Sequence, residues 1–250
     1  LVLTLCLTAC GNDEPASDLE YVTENGKIVV GITDFAPMDY EDENGEWIGF
    51  DADMAKEFAE YLGVEVEFIV IDWDNKIFEL ENKSIDVVWN GMTLTDKVKD
   101  AMGCSDPYCK NAQVVVVNAA VADQYQDEAS LADLAFAVEA GSAGKEIVEG
   151  LGLNFTEVAY QSDALMEVAA GTSDACVIDL LMAGAMIGEG TGYPDLTYTV
   201  SLTSEEYVVG FRKGSDLVEK FNQFWADACA EGTVLETAKT YGVQESVIIK

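Results

Sequence analysis

Hydrophobic residues along this chain follow two spacings, one typical of buried strands and one typical of amphipathic helices. Residues 51–62 place apolar side chains at the 3.6-residue spacing of a helix that packs on a sheet, and Gly63 follows at a C-terminal cap position. Mostly apolar runs at 27–33 and 64–71 flank this helix and predict two strands. Strands and helices that alternate at this distance predict an α/β fold with a largely parallel sheet.

A second α/β unit of similar plan is predicted after residue 134. Its predicted strands are 135–139, 155–159 and 175–178, and its predicted helices are 163–170, 180–187 and the segment from AGSAGKE to residue 151. Further strands are predicted at 113–117, 197–202 and 207–211, and two closing helices at 217–229 and 234–241. The pattern therefore predicts two similar α/β units within one chain.

A strand followed closely by a helix start lies near the middle of the first unit. The apolar run from Ile85 to Trp89 predicts a buried strand that ends at Asn90-Gly91. Thr95 is placed to cap the helix that follows. A strand that ends in a loop of small residues facing a helix start is suited to hold a small polar or charged ligand.

Charge excludes several classes of partner. The chain has 47 acidic and 13 basic residues and no His, for a formal net charge of -34. Such a surface repels phosphate groups, so we expect neither nucleic acid nor an anionic membrane surface as a partner. Because His is absent and no Cys pair has metal-site spacing, we expect no metal and no cofactor. Cys104 and Cys109 are close enough in sequence to bridge a small loop, but spacing alone does not decide this.

The chain begins with an apolar run that ends in LTAC at Cys10. We interpret residues 1–9 as the remnant of a secretory signal peptide. The tetrapeptide resembles the bacterial lipobox, in which the cysteine becomes the lipid-modified first residue; the alternative is a small residue near a peptidase site. Residues 10–26 are acidic and poor in large apolar side chains, which predicts a linker. We therefore expect an extracytoplasmic protein, lipid-anchored to the cell membrane through Cys10.

Motifs distributed over residues 27–245 occur in an order that matches a known family. WNGMTLTDKVK followed by CSDPY resembles the GMTITxERxxxxxFSxPY segment of the family 3 extracellular solute-binding proteins, which feed amino-acid ABC transporters. The segments GKIVVGITDFAPMDY, DENGEWIGFDADMAKEFAEYLGVEVEF, IDWDNKIFEL and AGTSDACVID follow the family's order at close to its spacing. The resemblance is specific for fold and general role, but not for the ligand.

The resemblance implies the two-lobed fold of type II periplasmic-binding proteins. Lobe 1 would comprise residues 27–113 and 203–250, lobe 2 would comprise 114–202, and crossing strands near Gln113 and Ser201 would form the hinge. Ligand would bind between the lobes, which would close by rigid-body rotation. The family further implies a monomer without enzymatic activity that captures an amino acid or a related amine and delivers it to an ABC permease.

The family holds an amino acid by an aromatic shelf, a carboxylate clamp and an acid for the ammonium group. Carried over to this chain, the resemblance implies ligand-binding roles for Phe35, Trp73, Asn90, Gly91, Thr93, Ser142 and Asp179. Core packing is the alternative for the two aromatic residues, a turn for Asn90, and helix capping for Ser142 and Asp179.

The clamp departs from the family's pattern. Where the family carries Arg, at the third position after the Thr of TxxR, this chain has Val98. Either the N–H groups of Gly91 and Thr93, with the Thr93 hydroxyl, take a ligand carboxylate, or the ligand lacks one. Glu139 stands where some relatives carry a basic residue, so with Asp179 it favours an amine-bearing or cationic ligand over an acidic one.

Two other functions stay open at this point. A cyclohexadienyl-dehydratase-like enzyme on the same fold needs a poised acid or base, for which Asp34, Glu139 and Asp179 are the candidates. The other is a stand-alone sensor that signals to a membrane partner.

Overall fold

The structure, a computed structural model, describes residues 17–249. The predicted signal-peptide remnant (1–9) and the predicted lipidation site, Cys10, lie outside these residues. The helices are α1 (Asp18–Asn25), α2 (Phe50–Leu62), α3 (Lys76–Glu81), α4 (Asp96–Ala101), α5 (Ala143–Gly150), α6 (Gln161–Ala170), α7 (Leu180–Met186), α8 (Leu217–Glu231) and α9 (Thr233–Thr240). The strands are β1 (Lys27–Ile32), β2 (Tyr40–Glu41), β3 (Trp47–Ile48), β4 (Glu65–Val70), β5 (Val87–Thr93), β6 (Gly103–Cys104), β7 (Cys109–Asn111), β8 (Gln113–Asn118), β9 (Ala135–Glu139), β10 (Asn154–Val158), β11 (Ala175–Asp179), β12 (Leu196–Ser201) and β13 (Glu205–Phe211).

Two sheets organise the chain into two lobes. The sheet of lobe 1 has the order β4-β1-β5-β13-β6, with β7 paired to β13, and β1 runs parallel to β4 and β5. The sheet of lobe 2 has the order β10-β9-β11-β8-β12, and β9 runs parallel to β10 and β11. The chain enters lobe 2 between β7 and β8 and returns between β12 and β13. Both crossings therefore fall next to the predicted hinge positions.

Burial of both sheet faces explains the apolar runs in the sequence. The four valines from Val114 to Val117 in β8 are fully buried. Val114 and Val116 belong to one buried cluster, and Val115 and Val117 to another on the opposite face. A strand covered on both sides reads as a continuous apolar run, because neither face needs polar side chains.

The sequence predicts a linker over residues 10–26, and this is wrong for the eight residues of α1. Ser17 caps the helix by accepting a hydrogen bond from the Glu20 N–H (3.1 Å), and Val22 is fully buried. Asp18 accepts a hydrogen bond from the Arg212 guanidinium (2.9 Å). Contacts with lobe 1 thus stabilise a helix that is too short to be stable alone, which composition does not reveal.

Strand β5 is longer than predicted. The sequence predicts an end at Asn90-Gly91, but β5 continues to Thr93, which pairs with Tyr207 of β13. Gly91 has φ +55°, and the register with β13 shifts in this region, so a bulge carries the strand past the glycine. The predicted site residues of this segment are therefore held within a sheet. The predicted cap is confirmed, because the Thr95 side chain accepts from the Val98 N–H.

Cys104 and Cys109 are free thiols. In the register of the sheet, Cys104 lies opposite Gly210 and Cys109 lies opposite Tyr207. Three residues along a strand span about 10 Å, which exceeds the Cα separation that a disulfide tolerates.

The longest helix in the described part of the chain is α8, with 15 residues. It falls short of the roughly 20 apolar residues that a bilayer requires. None of the helices between residues 17 and 249 has the length and apolar character of a membrane span.

Candidate functional site

A cavity lies between the two lobes and encloses about 30 Å³. Lobe 1 lines it with the loop after β1, the turn at Trp73, β5 and the start of α4, and lobe 2 lines it with residues of β9, β11, α5 and α6. A volume of this size holds about one or two water molecules, so the lobes stand close together in this structure. The structure brings all seven predicted ligand residues to this cavity: Phe35, Trp73, Asn90, Gly91, Thr93, Ser142 and Asp179.

Phe35 and Trp73 form the aromatic wall of the cavity on lobe 1. They are 3% and 7% exposed, so each ring is packed into the lobe and also lines the cavity. Phe35 lies directly against Gly91, since a Cβ atom built on Gly91 would stand 2.3 Å from Phe35 Cε1. The missing side chain of Gly91 therefore leaves the space that the Phe35 ring occupies.

Lys76 places a buried ammonium group beside this wall. Its Nζ donates to the main-chain oxygen atoms of Trp73 (3.0 Å) and Gly141 (2.9 Å) and lies 4.6 Å from the centroid of the Trp73 ring. Trp73 belongs to lobe 1 and Gly141 to lobe 2, so this ammonium group joins the lobes. Burial, and secondly the charge of Lys97, lowers the pKa of Lys76 to about 8.

The sequence analysis missed Lys76, although a signal was present. Lys76 follows Trp73 by three residues and shares one face of α3 with Leu80, which is buried. Lys is almost never fully buried without a partner, so a Lys on the apolar face of a helix indicates a special environment.

Asn90 and Thr93 have their side chains engaged within the protein. Asn90 Oδ1 accepts from the Thr33 N–H (2.8 Å), and Asn90 Nδ2 donates to Thr33 Oγ1 (2.7 Å). The Thr93 hydroxyl donates to Glu205 Oε1 (2.8 Å). Each still has unused hydrogen-bonding capacity toward the cavity, a second N–H on Asn90 and an acceptor oxygen on Thr93.

The expectation that the Gly91 N–H takes a ligand carboxylate is not met in this structure. That N–H donates to Asp51 Oδ2 (2.7 Å), which also accepts from the Tyr108 hydroxyl (2.6 Å). Asp51 is fully buried at the start of α2, so the protein supplies its own carboxylate where an external one was expected. Gly91 lines the cavity, but its main-chain donor is occupied.

Asp179, at the end of β11, has four donors around its carboxylate. Oδ1 accepts from the Tyr207 hydroxyl (2.7 Å), from Gln113 Nε2 (3.0 Å) and from Asn111 Nδ2, and Oδ2 accepts from Gln161 Nε2 (2.5 Å). The side chain makes no capping bond to α7, so helix capping does not explain Asp179. With a single donor on Oδ2, this oxygen has acceptor capacity for a further group.

Glu205 shares its donors with Asp179. Glu205 Oε1 accepts from Asn111 Nδ2 (2.7 Å) and from Gln113 Nε2 (2.8 Å), the same two amide groups that bind Asp179. Asn111 and Gln113 lie in β7 and β8 at the first crossing, and Glu205 opens β13 after the second. The network therefore connects the cavity to both crossings between the lobes. Residues so far apart in sequence could not be joined by sequence reasoning.

Two acids of lobe 2 have strongly shifted pKa values. Burial, and secondly the charge of Glu205, raises the pKa of Asp179 to about 7, despite the hydrogen bonds that it accepts. Burial, and secondly the charge of Asp179, raises the pKa of Glu139 to about 8, although Lys76 acts in the opposite direction. Each acid gains affinity for a proton because little water reaches it, so a cation that approaches them is favoured.

Ser142 caps α5 and lines the cavity at the same time. Its Oγ accepts from the Lys145 N–H (3.0 Å), which confirms the capping interpretation. Only 4% of Ser142 is exposed, and it lies beside Gly141, the residue that accepts from Lys76.

The cavity carries charges of both signs. Asp34, Glu139, Glu146 and Asp179 are the acids that line it, and Lys76 and Lys97 are the basic residues. Val98 lines it as a buried apolar residue. Arg212 lies elsewhere, where it binds Asp18 and the buried Asp86, both at 2.9 Å.

The model of the bacterial extracellular solute-binding proteins, family 3, matches residues 28–244. The chain belongs to this family. The match spans both lobes and every residue named above as lining the cavity. The prediction of the family from sequence motifs is thereby confirmed.

Similarity to individual proteins supports the same assignment. The arginine-binding extracellular protein ArtP of Bacillus subtilis is 28% identical over 230 residues, which cover 88% of this chain and 86% of ArtP. The L-cystine-binding protein TcyJ of Escherichia coli is 27% identical over 231 residues, covering 86% of this chain and 82% of TcyJ. The crystal structure of the P235GK mutant of ArgBP from T. maritima matches with a TM-score of 0.84 and 31% identity, covering 90% of this chain and 99% of that chain. The predicted two-lobed fold of this family is confirmed.

Proposed function

We propose that this protein is the substrate-binding component of an ABC importer and captures an amino acid, or a related amine-bearing solute, by closure of its lobes. The observation that carries the proposal is a cavity between the lobes that is lined both by Asp179 of lobe 2 and by the aromatic wall of lobe 1. The relatives ArtP and TcyJ, named for binding arginine and cystine, support a ligand of this class.

Asp179 is the group that we assign to the ligand's ammonium. Its Oδ2 has acceptor capacity left, and its carboxylate is held by four donors from four different elements. A rigid, buried carboxylate discriminates between an ammonium and a neutral group better than an exposed one, because fewer water molecules screen it. Phe35 and Trp73 would cover the apolar part of the ligand, and Asn90, Gly91, Thr93 and Ser142 would complete the walls.

Closure follows from the way the lobes are joined. The contacts between lobe 2 and lobe 1 include the crossing strands, the Tyr207 bond to Asp179 and the Lys76 bond to Gly141. A ligand that touches both lobes favours the closed state over the open one by its differential contacts. Delivery of the closed complex to a membrane permease, and tethering through an acylated Cys10, complete the proposal.

Calorimetric titration with the natural amino acids and with simple amines tests the proposed function. We expect at least one ligand with a dissociation constant of about 1 μM, equivalent to about -8 kcal/mol. Asp179→Asn should weaken its binding at least about tenfold, or about 1.4 kcal/mol. Asp133→Asn, at an exposed position of the same lobe, is the matched control. Affinity of Asp179→Asn within about threefold of wild type would remove Asp179 from the site.

The same samples separate binding from catalysis. After prolonged incubation the ligand should be recovered unchanged by mass spectrometry. A converted product would favour the dehydratase-like alternative. Mass spectrometry of the mature protein tests the anchor, since an unmodified chain that retains residues 1–9 is incompatible with lipidation at Cys10.

A further inference from the structure

We infer that Lys76 binds a carboxylate group of the ligand and thereby restricts the ligands of this protein to amino acids with a free carboxylate. The inference rests on the proposed function and adds to it a specificity-determining residue on lobe 1. The observation behind it is the buried ammonium group of Lys76 in the wall of the cavity, which has one N–H donor more than the described residues provide acceptors for.

The ammonium group of Lys76 has fewer acceptors among the described residues than it has N–H donors. An ammonium has three N–H donors, and the described residues provide acceptors for two, the main-chain oxygen atoms of Trp73 and Gly141. No carboxylate of the described residues lies within ion-pair distance of Lys76. Only 4% of the residue is exposed. The charges of Glu139, Asp74 and Glu146 act on Lys76 from beyond that distance. A buried cation whose direct partners are neutral, and which has an unused donor, still has affinity for an anion.

Other groups of the cavity wall are less suited to hold a carboxylate. The Gly91 N–H is occupied by Asp51, and Val98 offers no charge. Lys97 lines the cavity but is solvent-exposed, so water screens its charge. Lys76 is therefore the basic residue of the cavity wall whose charge is least screened, and the indole of Trp73 fixes its position.

A zwitterionic ligand matches the charged groups on the two lobes. Lobe 2 presents Asp179, and lobe 1 presents Lys76 on the wall of the same cavity. A zwitterion can satisfy both, with its ammonium at Asp179 and its carboxylate at Lys76. An amine without a carboxylate would leave the third N–H donor of Lys76 without an acceptor.

A purely structural role for Lys76 makes a different prediction. Its bond to Gly141 joins the lobes, so loss of this bond alone would weaken closure around every ligand to a similar extent. Loss of a carboxylate contact would weaken only ligands that carry a carboxylate. The ratio of affinities for an amino acid and for its α-carboxamide therefore distinguishes the two roles, since the amide keeps the ammonium and the side chain.

The experiment measures this ratio by calorimetry at pH 7 for wild type, Lys76→Met and Lys76→Arg. The probes are the amino acid that binds wild type most tightly in the panel and its carboxamide. We expect wild type to prefer the acid about tenfold to hundredfold, as loss of a hydrogen bond to a charged group implies. Lys76→Met should bind the acid and the amide with affinities within about threefold of each other. Lys76→Arg should keep most of the preference for the acid because the charge is retained.

Each outcome decides the inference. Equal weakening of acid and amide in Lys76→Met assigns Lys76 to closure alone and overturns it. If wild type binds the acid and the amide equally, the inference is overturned, whether or not Lys76→Met folds. If wild type binds no amino acid, the proposed function is overturned as well. This result is distinct from an acid-to-amide ratio that is the same in wild type and Lys76→Met, which overturns only the role of Lys76.

Discussion

Replacement of Gly91 by alanine tests how the cavity wall is built. The residue has φ +55°, and a Cβ atom there would lie 2.3 Å from Phe35 Cε1, 3.1 Å from Phe35 Cδ1 and 3.2 Å from Tyr207 Cε2. The left-handed conformation costs an alanine about 1 kcal/mol. Displacement of the buried Phe35 ring adds about 1–3 kcal/mol, as overpacking in a core does. We therefore expect Gly91→Ala to lower the free energy of unfolding by about 2–4 kcal/mol, equivalent to about 10 °C in Tm for a chain of this size.

Gly63→Ala is the matched control for this prediction. Gly63 has φ +73° at the C-terminal cap of α2, and no heavy atom lies within 4 Å of its ideal Cβ position. It carries the conformational cost without the collision, so a loss of about 1 kcal/mol is expected. Urea unfolding gives the free energies, and calorimetry gives the affinity, which only Gly91→Ala should reduce. Equal destabilisation by the two substitutions would refute the claim that the Phe35 ring needs the space left by Gly91.

Two further predictions concern the buried charges. Because burial raises the pKa of Asp179 to about 7 from 3.8, the folded ligand-free protein binds more protons than the unfolded chain between about pH 4 and 7, so stability falls as pH rises through this range. Urea unfolding at pH 5, 6 and 7 should show a shallower fall for Asp179→Asn than for wild type, and parallel curves would contradict the assignment. Arg212→Met leaves the buried Asp86 without its cation and should cost about 3–5 kcal/mol, with ligand affinity unchanged. Lys213→Met, at the exposed neighbouring position, is its control, and equal stability of the two variants would contradict the role of Arg212.

Local sequence signals predicted the elements that depend on local physics. The apolar face of α2 and its glycine cap at Gly63, and the Thr95 cap of α4, are where the spacing indicated. The family's motifs placed the seven candidate ligand residues, and all of them line one cavity. These features follow from periodicity, capping chemistry and motif order, all of which can be read along the chain.

Features that depend on contacts between distant segments were not predicted from the sequence. Helix α1 is stabilised by Arg212, which is 194 residues away from Asp18. Glu205 joins the site through amides 92 and 94 residues distant, at Gln113 and Asn111. Lys76 lies on a helix face that would be core in a single-lobed protein, and only the approach of lobe 2 makes it part of a cavity wall. Such pairings are set by tertiary packing, which periodicity does not encode.

A crystal structure of the protein with its tightest-binding amino acid is the most direct test of the central claim. The account predicts the ligand between the lobes, with its ammonium nitrogen about 3 Å from Asp179 Oδ2 and its carboxylate within hydrogen-bond distance of Lys76 Nζ. A ligand bound outside this cavity, or inside it with its ammonium turned away from Asp179, would contradict the account.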